Sequence, residues 1–432
     1  MHSLAALVER RLERGHVRFA ASAVLGVSLL LLIVSVATTM RGGTVFGPSL
    51  GADYAAFYTA GTILNHYSGE RLYDLHLQDR LFHELFPRVP EGEILPYANP
   101  PFLAGSFRLL ARLPYAESFL VWLLISGGLY LAGLILLLSA LRNIPATDKK
   151  LIVLIALSFE PFIMECWLGG QLSAIGFFCL ALALYFERHG HSLACGLALG
   201  CCLYKPTLLP LVLLMLFLGR RWRILSGFGL MAAILAVASW LVAGPEACRD
   251  YGHLMLGYFS AATGSQGIFR LWKFVDLNTF FKLLGLSAGL ARLLVMTVAL
   301  SIAPLLLHTW WTVKDKREEH RTLVWAGTIA ATLVLNIYVG VYDSILVVLA
   351  ALLTVDILCR RHVDGSTMLP PGYRMLLVLL YLTPWLSQGL ARLTGVQAYT
   401  VVLAVVAGYP LWLARKRVVT SPGPLHSAHV GF

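Results

Sequence analysis

The sequence predicts an all-α, polytopic membrane protein: a bundle of about twelve transmembrane helices with two outer loops that carry short interfacial helices. Three observations predict it. Hydrophobic residues make up 58% of the 432 positions and charged residues 13%, about half the charged share of a soluble domain. Apolar runs of about 20 residues, the length that crosses a bilayer, recur along the whole chain. Short basic clusters punctuate them in the alternation that the positive-inside rule requires. No soluble domain, internal repeat or low-complexity linker interrupts this pattern, so residues 1–432 read as one integral membrane domain.

The elements follow in order. Arg10, Arg11, Arg14 and Arg18 precede a first span at 19–39, which places the N-terminus inside. That run is too long for a signal-peptide core and is read as uncleaved. Residues 40–115 form the first outer loop. Spans at 116–141, 151–168 and 172–185 follow, with Arg142, Lys149, Lys150 and Arg188 inside and Gly169-Gly170-Gln171 outside. The stretch 192–218 is broken by Lys205-Pro206, because proline removes a backbone donor. Arg220, Arg221 and Arg223 must share a side with Arg188, so two short limbs meeting outside are expected, with Lys205 at the tip. A span at 224–243 leads to the second outer loop, 244–286. Spans at 288–308, 323–338, 343–358, 375–390 and 397–413 complete the chain. Lys314, Lys316, Arg317, Arg321, Arg360, Arg361 and Arg415-Lys416-Arg417 fall inside, and 414–432 is a cytoplasmic tail.

Composition excludes several classes. The net charge of +11 is spread over short loops rather than gathered on one face, so a nucleic-acid partner is not expected. The seven cysteines show no CxxC spacing and imply neither a disulfide framework nor a metal site. Outer histidines (His66, His76, His83, His253) lack ligand spacing. Trp122, Trp167, Trp240, Trp310, Trp311 and Trp385 are read as an interfacial aromatic belt.

The polar investment lies in the outer loops. Asp53 opens the run Tyr54 to Gly61 just beyond the first span. It is either a base at the water–lipid boundary or a plain helix cap. Asp74 is placed to cap a helix whose Leu77, Leu81, Phe82, Leu85 and Phe86 form one apolar face, the pattern of a helix lying in the interface. Glu160 and Glu165 are acids inside a span, an expensive placement without a named role.

Three stretches carry a resemblance: Asp53-Tyr54-x-x-Phe57-Tyr58-x-Ala60-Gly61, Gly69-Glu70-Arg71-Leu72-Tyr73-Asp74, and Tyr97-x-x-Pro100-Pro101. They resemble the first outer loop of glycosyltransferase family eighty-seven, membrane enzymes of the GT-C fold that include polyprenol-phosphate-mannose-dependent mannosyltransferases. Gly170-Gln171, Lys205-Pro206, Asn278-Thr279 and Tyr342-Asp343 match in the same order, extending the resemblance to about Leu358. Many GT-C enzymes pair two acids in the first loop; here Asp53 stands alone, with Glu70 the next acid.

The resemblance implies hexosyl transfer, with mannose the expected sugar. The donor would be a polyprenyl-phosphate sugar, the acceptor a lipid or glycan hydroxyl, and the outcome inversion. Asp53 is then the expected general base. Lys205, Arg270 and Lys273 are expected at the donor phosphate. Tyr54, Tyr58, Tyr97, Gln171, Asn278, Tyr342 and Asp343 are expected around sugar or acceptor. No metal or other cofactor is expected, since the lipid-phosphate sugar is a co-substrate. Apart from membrane lipids, the substrates are the only partners implied. The expected location is the plasma (inner) membrane, multi-pass, with the active site on the periplasmic or extracytoplasmic side and both termini cytoplasmic. The alternatives are a flippase or transporter of lipid-linked saccharide, a glycan ligase, or a protein or lipid A glycosyltransferase. A transporter would place its polar groups near the midplane and often shows inverted repeats.

Overall fold

The computed structural model describes residues 14–40, 51, 53–87, 95–263, 270–311, 318–360 and 369–420. Among these there is no strand; a single isolated bridge joins Phe274 to Gly340. Of the expected inner residues, Arg10, Arg11, Lys314, Lys316, Arg317 and Arg361 lie outside the described residues, as does the tail from Ser421 onward.

The bundle is built from α1 (Arg14–Met40), α5 (Tyr115–Ala140), α6 (Ala146–Leu157), α7 (Ser173–Arg188), α8 (Ser192–Gly200), α9 (Pro210–Leu218), α10 (Trp222–Thr263), α12 (Ala288–Trp311), α13 (Glu318–Val334), α14 (Val347–Cys359), α15 (Pro371–Thr394) and α16 (Ala398–Thr420). The outer segments add α2 (Tyr54–His66), α3 (Leu75–Leu85), α4 (Pro101–Phe107) and α11 (Leu277–Leu283). Among the described residues seven helices are long and apolar enough to cross a membrane, or eight if one bent pair counts as a span. The difference from twelve lies in segments that form but are short. The helices α7 and α13 have 16 and 17 residues, and α8 and α9 have 9 each.

The short segments pack against neighbouring helices. The limb α8 packs along α10 through glycines: a Cβ on Gly196 would stand 1.9 Å from the Ile224 carbonyl oxygen, and one on Gly227 would stand 2.2 Å from that of Leu193. Only hydrogen at these positions lets the backbones approach so closely. Its partner α9 packs more on α12 and α13 than on α10, so the two limbs part at Lys205.

The bent pair is α6 and a wide π-helical turn at Pro161–Leu168, which meet at 52°. Pro161 has no N–H to continue the ladder. The break carries Glu160 and Glu165 out of the regular helix. A second break falls in α10, where Gly244 takes φ +83° ahead of Pro245. The chain then stays helical to Thr263, so the second outer segment begins as helix rather than loop.

The expectation for α3 needs correcting. Its apolar face is buried in protein, not laid on lipid: Leu77 and Leu81 pack on Ile63 of α2, and Phe82 and Phe86 pack beside Ala55 and Tyr115. The buried Gln78 ties the helix down by donating to the Leu72 carbonyl at 2.7 Å and accepting from the Tyr97 N–H at 2.7 Å. The belt reading also fails for three tryptophans. Trp122 and Trp310 are buried, and the Trp167 indole donates to the Leu123 carbonyl at 2.8 Å. Trp240, Trp311 and Trp385 are exposed, as a belt requires.

Charge separates the two ends of the bundle. At one end Arg188 donates to Asp356 at 3.1 Å and to the Ala140 carbonyl at 2.8 Å. There also Arg221 meets Glu187 at 2.9 Å, Arg360 meets Glu319 at 2.9 Å and Arg14 meets Asp148 at 2.9 Å. The opposite end holds Asp53, Gln171, Lys205 and Asp343.

Candidate active site

Asp53 sits at the start of α2, where an aspartate ordinarily caps. Its backbone is helical (φ −80°, ψ −24°) and its side chain accepts no capping hydrogen bond. Capping needs an extended residue whose side chain can turn back on the first free N–H groups. Asp74 and Asp276 have that conformation (ψ 102° and 158°) and do cap, accepting from Leu77 N–H at 3.1 Å and Thr279 N–H at 2.9 Å. The Asp53 carboxylate is therefore available for other partners.

It is held by the turn between the π-helical segment and α7. Asp53 N–H donates to the Gly169 carbonyl at 3.2 Å, and Gln171 Nε2 donates to Asp53 Oδ2 at 2.5 Å. Gly170 makes the turn possible. It has φ +76°, and a Cβ there would lie 2.7 Å from Tyr54 Cβ. Residues 53 and 171 thus meet through backbone geometry that glycine alone adopts freely.

Around this pair stand two further groups. The first centres on Asp343, fully buried on the 3₁₀ turn Val341–Leu346. It accepts from Ser173 Oγ at 2.8 Å and from Gly340 N–H at 3.2 Å, and it is ion-paired with Lys205. The Lys205 ammonium also lies 4.9 Å from the centre of the Tyr342 ring. The second group gathers Glu160, Glu165 and Lys273. Gln388 Nε2, from α15, donates to Glu165 Oε1 at 2.8 Å and to Glu160 Oε1 at 3.3 Å, and the Lys273 ammonium stands 3.9 Å from Glu165 Oε2. The turn that carries Lys273 is docked on the residue before α16: Gln397 Nε2 donates to the Trp272 carbonyl at 2.9 Å. Asp276 fixes the same segment to the Asp343 corner by accepting from Val339 N–H at 3.1 Å.

Electrostatics joins the groups. Burial pushes the Asp53 carboxyl above the usual carboxylate range. The Gln171 amide and the Lys273 and Lys205 charges pull it back, while Glu165 pushes it further up. Asp53 thus lacks an acid beside it in sequence but has one in space, since Glu165 stands near enough to act on it. Among the described residues, no three His, Cys, Asp or Glu side chains cluster closely enough to hold a metal ion.

The remaining expected site residues fall elsewhere. Tyr54, Tyr58 and Tyr97, expected near sugar or acceptor, are buried in the packed base of the first outer segment. Their hydroxyls are engaged with Ser118 Oγ at 2.5 Å, the Leu113 carbonyl at 2.8 Å and the Pro100 carbonyl at 2.7 Å. Tyr54 and Tyr58 thereby pin α2, on which they lie, to the segment at 113–118, and Tyr97 packs beside it on Phe57. Arg270 is exposed at the edge of the described segment. Asn278 is buried on α11 with its Nδ2 unpartnered. Ser173 and Gln388 were not anticipated. An uncharged polar pair, Ser387-Gln388, within an apolar span was the available signal for the latter.

The sequence profile of Glycosyltransferase family 87 matches residues 97–337, more than half of the chain. The chain belongs to glycosyltransferase family 87. No curated protein and no solved structure matches it. The matched span of this family 87 protein includes Gln171, Lys205, Arg270, Lys273 and Asn278. It is narrower than the resemblance read from the motifs, and Asp53, Tyr342, Asp343 and Gln388 lie outside it.

Proposed function

We propose that this membrane glycosyltransferase moves a hexose, mannose by preference, from a polyprenyl-phosphate carrier to a hydroxyl of a lipid or glycan acceptor. Asp53 acts as the base. The acceptor oxygen attacks the anomeric carbon, its proton passes to the Asp53 carboxylate, and the bond from that carbon to the phosphate oxygen breaks. The electron pair leaves with the polyprenyl phosphate, and configuration inverts. The observation that carries this reading is the uncapped Asp53 carboxylate, held by Gln171 within electrostatic reach of two lysines. A base needs a free acceptor lone pair, and a departing phosphate needs nearby positive charge.

Lys273 is the better placed of the two cations for the phosphate. Its contact to Glu165, at 3.9 Å, is longer than a hydrogen bond, whereas Lys205 is committed to buried Asp343. Arg270 serves on the rim. Asp343 and Tyr342 set the position of Lys205, and Asn278 offers an unused amide donor to a sugar or head group. No metal takes part in this reading. The helices follow the GT-C plan, with the site at the extracytoplasmic face of the plasma membrane, both termini inside and the product a cell-envelope glycolipid.

The test supplies purified protein in vesicles with polyprenyl-phosphate mannose and candidate lipid acceptors. Mass spectrometry of a glycosylated acceptor supports the proposal. Movement of the intact lipid-linked sugar across the bilayer with no such product would replace it with a flippase.

A further inference from the structure

The paired acids Glu160 and Glu165 have no task in the transfer step, yet the fold goes to some expense to place them. A proline-led π-helical turn carries them, and one amide, Gln388 Nε2, bridges them at 3.3 and 2.8 Å. This leaves the pair short of donors. An ionised carboxylate has about four lone-pair sites to fill. Glu160 is 5% exposed, and its Oε2 is buried with no hydrogen-bond partner. Glu165 Oε2 has the Lys273 ammonium only at 3.9 Å. A buried acceptor without a donor is costly, and a bound molecule that brings donors relieves the cost.

The chemistry of the missing ligand follows from charge. An anion is repelled by the Glu165 carboxylate with Asp53 close by. A cation finds its position already taken by Lys273. A neutral molecule with several hydroxyls fits, because each O–H donates to a carboxyl oxygen and adds no charge. Resting on the transferase reading above, we propose that Glu160, Glu165 and Gln388 form the seat for the ring hydroxyls of a neutral hexopyranose. The anionic phosphate then lies toward the lysines and the sugar toward the acids, with Asp53 at the junction. The seat also makes the enzyme discriminate against uronic acids, whose carboxylate meets the acidic pair.

The test is binding without turnover. Full-length protein in nanodiscs is titrated with methyl α-D-mannopyranoside, methyl α-D-glucopyranoside and methyl α-D-galactopyranoside, followed by saturation-transfer NMR, with methyl α-D-glucuronide as the charged counterpart. At least one neutral hexoside binds the unaltered protein, the glucuronide does not, and Glu165→Gln weakens the hexoside by about tenfold or more, the size of one charge-assisted hydrogen bond. Glu160→Gln does the same. Glu165 is the less buried of the two, so its variant supplies the readout if Glu160→Gln unfolds. Glu246→Gln, which alters an exposed surface pair, leaves binding unchanged. Equal hexoside affinity in Glu165→Gln, a glucuronide that binds as tightly, or no hexoside binding to the unaltered protein would each overturn the proposal. The two readings fail separately. Hexoside binding with no transfer removes the transferase reading, and transfer with no Glu165-dependent binding removes the seat.

Discussion

Three aspartates begin helices in the outer segments, and one differs in backbone conformation. Asp74 and Asp276 are extended and cap; Asp53 is helical and does not. The difference has a measurable consequence in pH. In the proposed mechanism the base must be ionised, so the acid limb of kcat/KM is expected above 3.8, the ordinary value for an aspartate, because burial raises Asp53. Glu165 raises it further and Lys273 lowers it. Replacing Glu165 with Gln therefore moves the limb down and replacing Lys273 with Met moves it up; a pH–rate profile of each variant checks both signs. The same shift carries a stability sign. A folded carboxyl raised above its unfolded value loses stability as pH rises through that window. At neutral pH Asp53→Asn is thus expected to melt no lower than the unaltered protein. The Lys205–Asp343 pair is asymmetric. Asp343 is fully buried, while the Lys205 side chain keeps 22% of its surface. Lys205→Ala strands a buried charge and costs about 3–5 kcal/mol. Asp343→Asn costs less, since the lysine can turn to water, and thermal melts of the two variants measure the gap. Asp53, Gln171, Lys205 and Asp343 were legible in the sequence because polar residues stand out in so apolar a chain. Their pairings were not, since partners such as Asp53 and Gln171 are distant in sequence and meet only through packing.

At the scale of elements, the site depends on the turn that joins the π-helical segment to α7. Gly170→Ala forces a side chain into a left-handed conformation, at about 1–2 kcal/mol, and against Tyr54 Cβ. The expected outcome is a protein that still inserts and melts cooperatively but transfers sugar much more slowly, read by an activity assay beside a melting curve. Most helices were legible because twenty-residue apolar runs have few other fates. The short limbs at Lys205 were legible too, from proline and flanking charge. The orientation of α3 was not. An amphipathic face looks the same in sequence whether lipid or protein covers it, and only the fold brings Ile63 and Tyr115 over Leu77 and Phe82. The helical continuation beyond Gly244 was hidden in the same way, because a Gly-Pro step reads as a stop and here acts as a bend.

The whole molecule is polarised. One end carries arginine clamps across several helices, and the other holds the carboxylates, amides and lysines of the site. Positive charge remains on the cytoplasmic side of a membrane. A membrane-impermeant maleimide applied to intact cells should therefore label Glu246→Cys, near the site end, in a Cys248→Ser background. His189→Cys, exposed at the clamp end, should label only after permeabilisation. The reverse pattern would turn the protein over and place its chemistry in the cytoplasm. Twelve spans were expected from the sequence and seven or eight helices are long enough to cross alone. The four short segments, of 9 to 17 residues, form as helices but do not reach that length.

If the uncapped Asp53 carboxylate takes the acceptor proton, the single-turnover transfer rate of Asp53→Asn must fall against that of the unaltered protein at equal donor saturation. The expected rate is lower by about 10²–10⁴-fold, with donor binding and melting temperature retained. A variant that transfers sugar at the original rate would contradict it.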